Sequence, residues 1–228
     1  MLLRIPGLLT PDQVAQCREA LAGAAWGDGR MTAGAQSSLA KHNLQLPEDA
    51  PEPKALGELI LAALAANAAF MSAALPLKVF PPLFNRYGPG MAFGDHVDNA
   101  VRASPVTGAR YRTDLSCTVF LSSPEEYDGG ELVIEAGALT PARIKLPAGD
   151  AILYPATTVH RVDPIVRGER WAAFFWVQSM VADGGRRTLL HELDRAIAAA
   201  RADLGDTHAA AVSLVGVYHN LVRMWAEV

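Results

Sequence analysis

The sequence predicts an α+β fold, with helices at both ends and a β core between them. Three observations carry this. A capped helical pattern opens the chain, and alanine- and leucine-rich helical patterns close it. Between them, residues 77–180 break into short β-like runs punctuated by glycine and proline. The spacing of those runs fits an antiparallel sandwich or barrel better than βαβ units. The expected division is one domain over 1–180, with helices in 10–75 and the β core in 77–180, followed by a helical extension over 181–228.

Thr10-Pro11-Asp12-Gln13 is a capping box with proline at the first helical position, where its missing N–H costs nothing. The helix it opens runs to about Ala25, places Val14, Cys17, Leu21 and Ala24 on one face, and is ended by Gly27 and Gly29. Residues 28–53 read as irregular, interrupted at their far end by Pro47, Pro51 and Pro53. A second helix is expected from about Lys54 to Ala74. Strands are expected at Val79–Tyr87, Leu115–Ser122, Glu131–Glu135, Ala142–Leu146, Ala151–Tyr154, Val159–Val162 and Arg170–Ser179. Asp128-Gly129-Gly130 reads as a tight turn. After Asp183-Gly184-Gly185 the helical pattern returns over Thr188–Leu204 and Ala209–Trp225.

Half of the 228 residues are hydrophobic and 19% are charged, the balance of a chain with a sizeable core and not of a disordered one. The net charge is −4, and Arg102, Arg110 and Arg112 are too few and too spread to make a basic face, so nucleic-acid binding is not expected. Cys17 and Cys117 stand a hundred residues apart and outside any C-x-x-C pair, which points to a reducing compartment and inert thiols. The apolar stretch Leu59–Leu75 is mostly alanine, contains Asn67 and stops before Pro76, so it reads as a packed helix and not a membrane span. No signal-peptide pattern opens the chain. The expected location is the cytoplasm, with no membrane partner.

The chemistry concentrates in Gly94-Asp95-His96-Val97-Asp98-Asn99. On an extended segment His96 and Asp98 point the same way, so an imidazole and a carboxylate converge. An H-x-D tripeptide alone is equally a surface turn with a bonded Asp–His pair. His160 lies 62 residues on (160 − 98), where a β-like run enters a turn and can fold back as a third donor. Two histidines and one carboxylate form a facial triad that leaves coordination positions open, the arrangement of non-haem iron(II) oxygenases. Arg170 follows His160 by ten residues, across a reversal at Asp163-Pro164 and Arg167-Gly168. Its guanidinium can pair bidentately with the far carboxylate of a diacid whose other end chelates the metal. Alternation puts Ala172, Phe174 and Trp176 on the same face as an apolar wall; the alternative for Arg170 is an exposed pair with Glu169. Tyr87 and Asn85 share one face of the preceding strand and are candidate co-substrate contacts, or core residues. Residues 99–113 read as a solvated connection or as a loop over the site's mouth. His42, His191, His208 and His219 read as packing or helix-surface residues, since His191-Glu192-Leu193-Asp194-Arg195 is not H-E-x-x-H.

The chain resembles the PKHD-type hydroxylases, of the prolyl 4-hydroxylase-like branch of 2-oxoglutarate dioxygenases. The resemblance runs through Asn85-Arg86-Tyr87, Gly94–Ala100, Asp114-Leu115-Ser116, Tyr127–Leu132, Gly149-Asp150, His160-Arg161-Val162 and Gly168-Glu169-Arg170. It implies a double-stranded β-helix (jelly-roll) core, Fe(2+) at His96, Asp98 and His160, and 2-oxoglutarate at Arg170. It further implies O2 as a co-substrate, decarboxylation of 2-oxoglutarate to succinate, hydroxylation of a small-molecule or peptidyl substrate, and L-ascorbate (vitamin C) as reductant. A link to iron and siderophore uptake also comes from the resemblance, and a homo-oligomer stays open. The alternative from another class is a non-catalytic metal-binding or iron-sensing jelly-roll module. Arg170 discriminates, because a metal sensor has no use for a carboxylate clamp.

Overall fold

The computed structural model describes residues 1–228 except 33, 35, 106, 136, 138 and 139. Two antiparallel sheets face each other. The larger runs in the order Leu3–Ile5, Ala151–Pro155, Leu115–Phe120, Arg170–Ser179, Leu83–Tyr87, Leu44–Gln45, Gly27–Asp28, with Pro76–Val79 also paired to Arg170–Ser179. The smaller runs Ala142–Ile144, Leu132–Ile134, His160–Val162, Ala92–His96, Lys41–His42. This is the jelly-roll core expected, flanked by helices on both sides in sequence.

Strand period decides which residues meet the helices and which meet the other sheet. Leu115, Cys117 and Val119, with Trp171, Ala173, Phe175 and Val177, pack under the N-terminal helices against Val14, Leu21, Ile60 and Leu64. The intervening residues face the smaller sheet, in register as Ser116 with Trp176, Thr118 with Phe174 and Phe120 with Ala172. Both faces of Leu115–Phe120 are therefore covered, and all six residues are buried. A second apolar cluster, including Tyr87, Phe120, Leu132, Ile134, Ile152 and Val162, fills one end of the space between the sheets.

Several boundaries differ from the sequence reading. The first helix spans Pro11–Ala22, with the expected capping box at Thr10, and stops early because the Gly23 N–H turns back to the Leu21 carbonyl. The second begins at Pro51, since prolines in a first turn lack only N–H groups that have no helical partner. It ends at Ala66, where Asn67 caps a new helix, Ala68–Ala74, by accepting from the Phe70 N–H at 2.9 Å; the two axes meet at 85°. Val79–Tyr87 is two strands, because Pro81 and Pro82 interrupt the ladder. Residues 1–50 are not only helical and irregular: Leu3–Ile5, Gly27–Asp28, Lys41–His42 and Leu44–Gln45 extend both sheets. Strands of two or three residues carry too little alternation to be recognised. Tyr127–Gly129 is a strand paired with Ile165–Gly168 rather than a simple turn. Gly168 adopts φ +75°, and a Cβ there would sit 2.0 Å from the Glu126 carbonyl oxygen, so only glycine fits. The closing helices are Gly184–Leu204, capped by Asp183, and Ala209–Trp225. No single helix among the described residues is long and apolar enough to cross a membrane.

Candidate metal and co-substrate site

His96 ends the strand Ala92–His96, and His160 opens His160–Val162; the ladder sets them opposite each other. Asp98 follows His96 by two residues, and the donor atoms of all three lie within 4.8 Å of one another. Each histidine is oriented by the same short device. Nδ1 of His96 lies 2.8 Å from the Gly94 carbonyl oxygen, and Nδ1 of His160 lies 3.0 Å from that of Thr158. A carbonyl only accepts, so both Nδ1 atoms carry the proton and both Nε2 lone pairs remain for a metal. The Ser116 hydroxyl donates to Oδ2 of Asp98 at 2.5 Å, and the same oxygen is 3.8 Å from Nε2 of His160. Phe93 stacks on the His96 ring at 3.6 Å, and Tyr154 meets His160 edge-on at 5.2 Å.

Burial holds His96 well below the ordinary histidine pKa, and the neighbouring His160 imidazole pushes the same way. The ring is thus neutral, as a metal donor must be. Two imidazoles and a carboxylate, all converging with open space before them, match the donor set of an iron(II) oxygenase.

Across the cavity, the larger sheet presents Arg170, Asn85 and Tyr87, as the strand alternation predicts. Arg170 is 1% exposed, and its Nε has no hydrogen-bond partner among the described residues. Its guanidinium lies 5.5 Å from the Tyr87 ring centre and 5.2 Å from that of Phe120. Glu169 does not neutralise it: that carboxylate pairs with Arg86 and accepts from the Trp171 indole. A buried guanidinium with an orphaned donor is costly until an anion arrives, which is the requirement a diacid meets. The Asn85 Oδ1 is also buried and has no partner among the described residues, and burial pushes the Tyr87 hydroxyl up to about 12, so it stays a neutral donor.

Residues 99–113 fold into a hairpin, Val101–Ala103 paired with Arg110–Arg112, and Asn99 and Arg102 from it line the cavity; Val106 lies outside the described residues. Sequence reasoning missed the orienting role of Ser116, whose signal was its alternation with Leu115 and Cys117. It also missed Lys41, which sits in a stretch with no legible pattern. The remaining histidines are apart from the site: His191 bonds Ser72, His208 caps the last helix, and His42 and His219 are exposed.

Comparison with known proteins agrees with this geometry. The family model described as 2OG-Fe(II) oxygenase superfamily matches residues 82–178, and that described as PKHD-type hydroxylase C-terminal domain matches 184–227. A Pseudomonas putida prolyl-4-hydroxylase is similar in structure at a TM-score of 0.54 and 18% identity, covering 78% of this chain and 92% of that one. HygX from Streptomyces hygroscopicus, solved with nickel, 2-oxoglutarate and hygromycin B bound, is similar at 0.53 and 16%, covering 78% and 82%. Fold and domain match together define the class, the 2OG-Fe(II) oxygenases. A PKHD-type hydroxylase of Methylobacterium nodulans is 57% identical over 227 residues, 100% of both chains. The chain belongs to the PKHD-type hydroxylase family.

Proposed function

We propose that this protein is an iron(II)- and 2-oxoglutarate-dependent dioxygenase that hydroxylates its substrate through His96, Asp98, His160 and Arg170. The observation that carries the reading is the pairing, in one cavity, of a converging His–Asp–His cluster with a buried guanidinium whose Nε has no hydrogen-bond partner among the described residues. Iron(II) at the cluster, with 2-oxoglutarate and O2, supplies the oxidising power to hydroxylate a C–H bond while the co-substrate leaves as succinate and CO2. The protein's own part is placement. His96 and His160 present Nε2 because their Nδ1 atoms are engaged, and Ser116 fixes one Asp98 oxygen. Arg170, with Tyr87 and Asn85 beside it, takes the far carboxylate of the diacid. Phe174 and Trp176 keep the space before the cluster apolar, which limits water at the reacting carbon.

The same reading assigns 1–180 as the oxygenase unit and 181–228 as a helical extension, with ascorbate keeping the iron reduced. Two buried free thiols, Cys17 and Cys117, fit a cytoplasmic setting. A role beside iron or siderophore uptake is the physiological context proposed. The test is anaerobic: iron(II)-loaded protein titrated with 2-oxoglutarate should develop the absorbance of the metal–diacid chelate and, on admission of air, form succinate. Protein that takes iron but gives neither signal is a metal-binding module, and the dioxygenase reading fails.

A further inference from the structure

The two closing helices are tied back to one side of the cavity. Leu190 on the first and Tyr218, Leu221 and Trp225 on the second pack with Leu75 and Val181, near the end of the strand Arg170–Ser179. The chain then leaves the last helix and returns to the same place, where the Glu227 N–H donates to the Met180 carbonyl at 2.7 Å. That contact sets the Glu227 carboxylate beside Arg112, whose Nη1 donates to it at 2.9 Å. Arg112 is the last residue of the hairpin Val101–Ala103 with Arg110–Arg112. Through this segment Arg102, and Asn99 just before it, line the cavity.

The Arg112 guanidinium gathers three parts of the molecule. Besides Glu227, its Nε donates to Oδ1 of Asp114 at 2.8 Å and its Nη2 to the Ser179 carbonyl at 3.1 Å. Asp114 and Ser179 are bonded to each other as well, the Ser179 N–H donating to Oδ2 of Asp114 at 2.8 Å. Both are buried, so this half of the junction belongs to the core, and Glu227 is the half that the closing helices bring. The hairpin has few other fastenings. At its base the Thr113 hydroxyl donates to the Asn99 carbonyl, and on its inner side Arg102 meets Glu48 and the Trp176 ring. Among the described residues its two strands pair only with each other and join neither main sheet. A three-residue ladder of this kind has little cohesion of its own, so its position depends on such ties.

We propose that the closing helices act as a strap, with Glu227 and Arg112 as positioning residues that hold the hairpin against the cavity and keep it from opening to solvent. The strap gives the reaction shielding and places no group on metal or co-substrate. Because the Glu227 side chain is 62% exposed, its pair with Arg112 is of the modest surface kind. Its loss therefore changes how often the hairpin opens and leaves the fold intact. The inference rests on the dioxygenase reading only in taking the cavity for an active site, and its test needs no turnover.

Backbone hydrogen exchange is compared between wild type and Glu227→Ala, each as the whole metal-free chain. Amides in 101–112, where the Ser104 and Gly108 N–H groups bond within the hairpin, should exchange about two- to fivefold faster in the variant, the range of a surface ion pair. Those of the separate hairpin Leu132–Ile134 with Ala142–Ile144 should keep their wild-type rates. Glu227→Gln, which retains an acceptor without the charge, should recover part of the protection. Iron(II) uptake and its release to a chromogenic chelator are then timed anaerobically. A hairpin that opens more often speeds both by the same factor and leaves the equilibrium affinity unchanged, whereas damage to the ligands themselves lowers the affinity. Unchanged exchange over 101–112, an equal rise in both hairpins, or weaker iron binding without faster uptake overturns the proposal. If wild-type protein takes up no iron, the dioxygenase reading has failed, and the exchange comparison still decides this inference.

Discussion

On the smaller sheet the chemistry is aimed by bonds two residues long: the His96 and His160 rings are each held by the carbonyl two positions before them. On the larger sheet it is aimed by pairing between distant strands. Arg170 stands opposite Tyr87, 83 residues away in sequence (170 − 87), and Ala172 stands opposite Asn85. On the metal wall the aim of each ring is thus local, although the ladder between His160–Val162 and Ala92–His96 brings the two rings together, whereas on the co-substrate wall strand pairing sets the arrangement itself. It follows that the two walls should fail independently, and that is the comparison to break.

The largest effect belongs to the metal wall. His96→Ala, Asp98→Ala and His160→Ala should each abolish succinate formation and weaken iron binding by more than the ten- to hundredfold typical of losing an outer-shell partner. Circular dichroism should stay that of wild type, and His219→Ala, on the exposed face of the last helix, should bind iron normally. Iron affinity at the wild-type level in all three variants would end the assignment.

Next comes the opposite wall. Arg170→Ala should retain iron yet lose about ten- to a hundredfold in 2-oxoglutarate affinity, equivalent to roughly 1.5–3 kcal/mol for a hydrogen bond to a charged group. Arg170→Lys should recover part of this, because an ammonium lacks the two parallel donors of a guanidinium. A variant that loses both ligands together shows that the walls are mechanically coupled after all.

Ser116 sharpens the contrast, since it reaches across: it belongs to the larger sheet but bonds the Asp98 carboxylate. Ser116→Ala should weaken iron by about tenfold, the usual cost of removing a group that orients a ligand. It should do so without touching 2-oxoglutarate affinity once iron is saturating. Equal iron binding in wild type and variant, measured by competition with a chelator, rules out an orienting role.

The same contrast explains what the sequence revealed. His96 and Asp98 were readable because two-residue spacing on an extended segment is itself a geometric statement. Arg170, Phe174 and Trp176 were readable because Arg170–Ser179, with aromatic or β-branched residues at Trp171, Phe174, Phe175, Trp176 and Val177, is long enough to fix the alternation. Lys41 was not, because its strand is two residues long and lies among glycines and prolines. Its place in the cavity follows from pairing with Phe93 and Ala92, a long-range contact that leaves no periodic trace. The bend at Asn67 was hidden for a related reason: the alanine-rich composition suits one long helix, and only the side-chain cap on Phe70 divides it.

The smallest effect concerns acid, and it separates the walls once more. In the metal-free protein, burial and His160 hold His96 below the unfolded histidine value of about 6.5. A depressed folded-state pKa means that the unfolded chain binds more protons in that range, so stability rises with pH there. The contribution from His96 is complete above about pH 6.5 and is lost as pH falls from that value through the folded one. On the facing wall, Tyr87 is pushed up to about 12 and undergoes no change in this window. Melting temperature of the metal-free protein, followed from pH 7.5 downwards, should therefore fall more steeply for wild type than for His96→Gln, which keeps a polar side chain but does not titrate. Tyr87→Phe should leave the slope of wild type. Parallel melting curves for wild type and His96→Gln would mean that the ring is protonated in the folded protein near its ordinary value, and that the metal wall is wetter than its burial indicates.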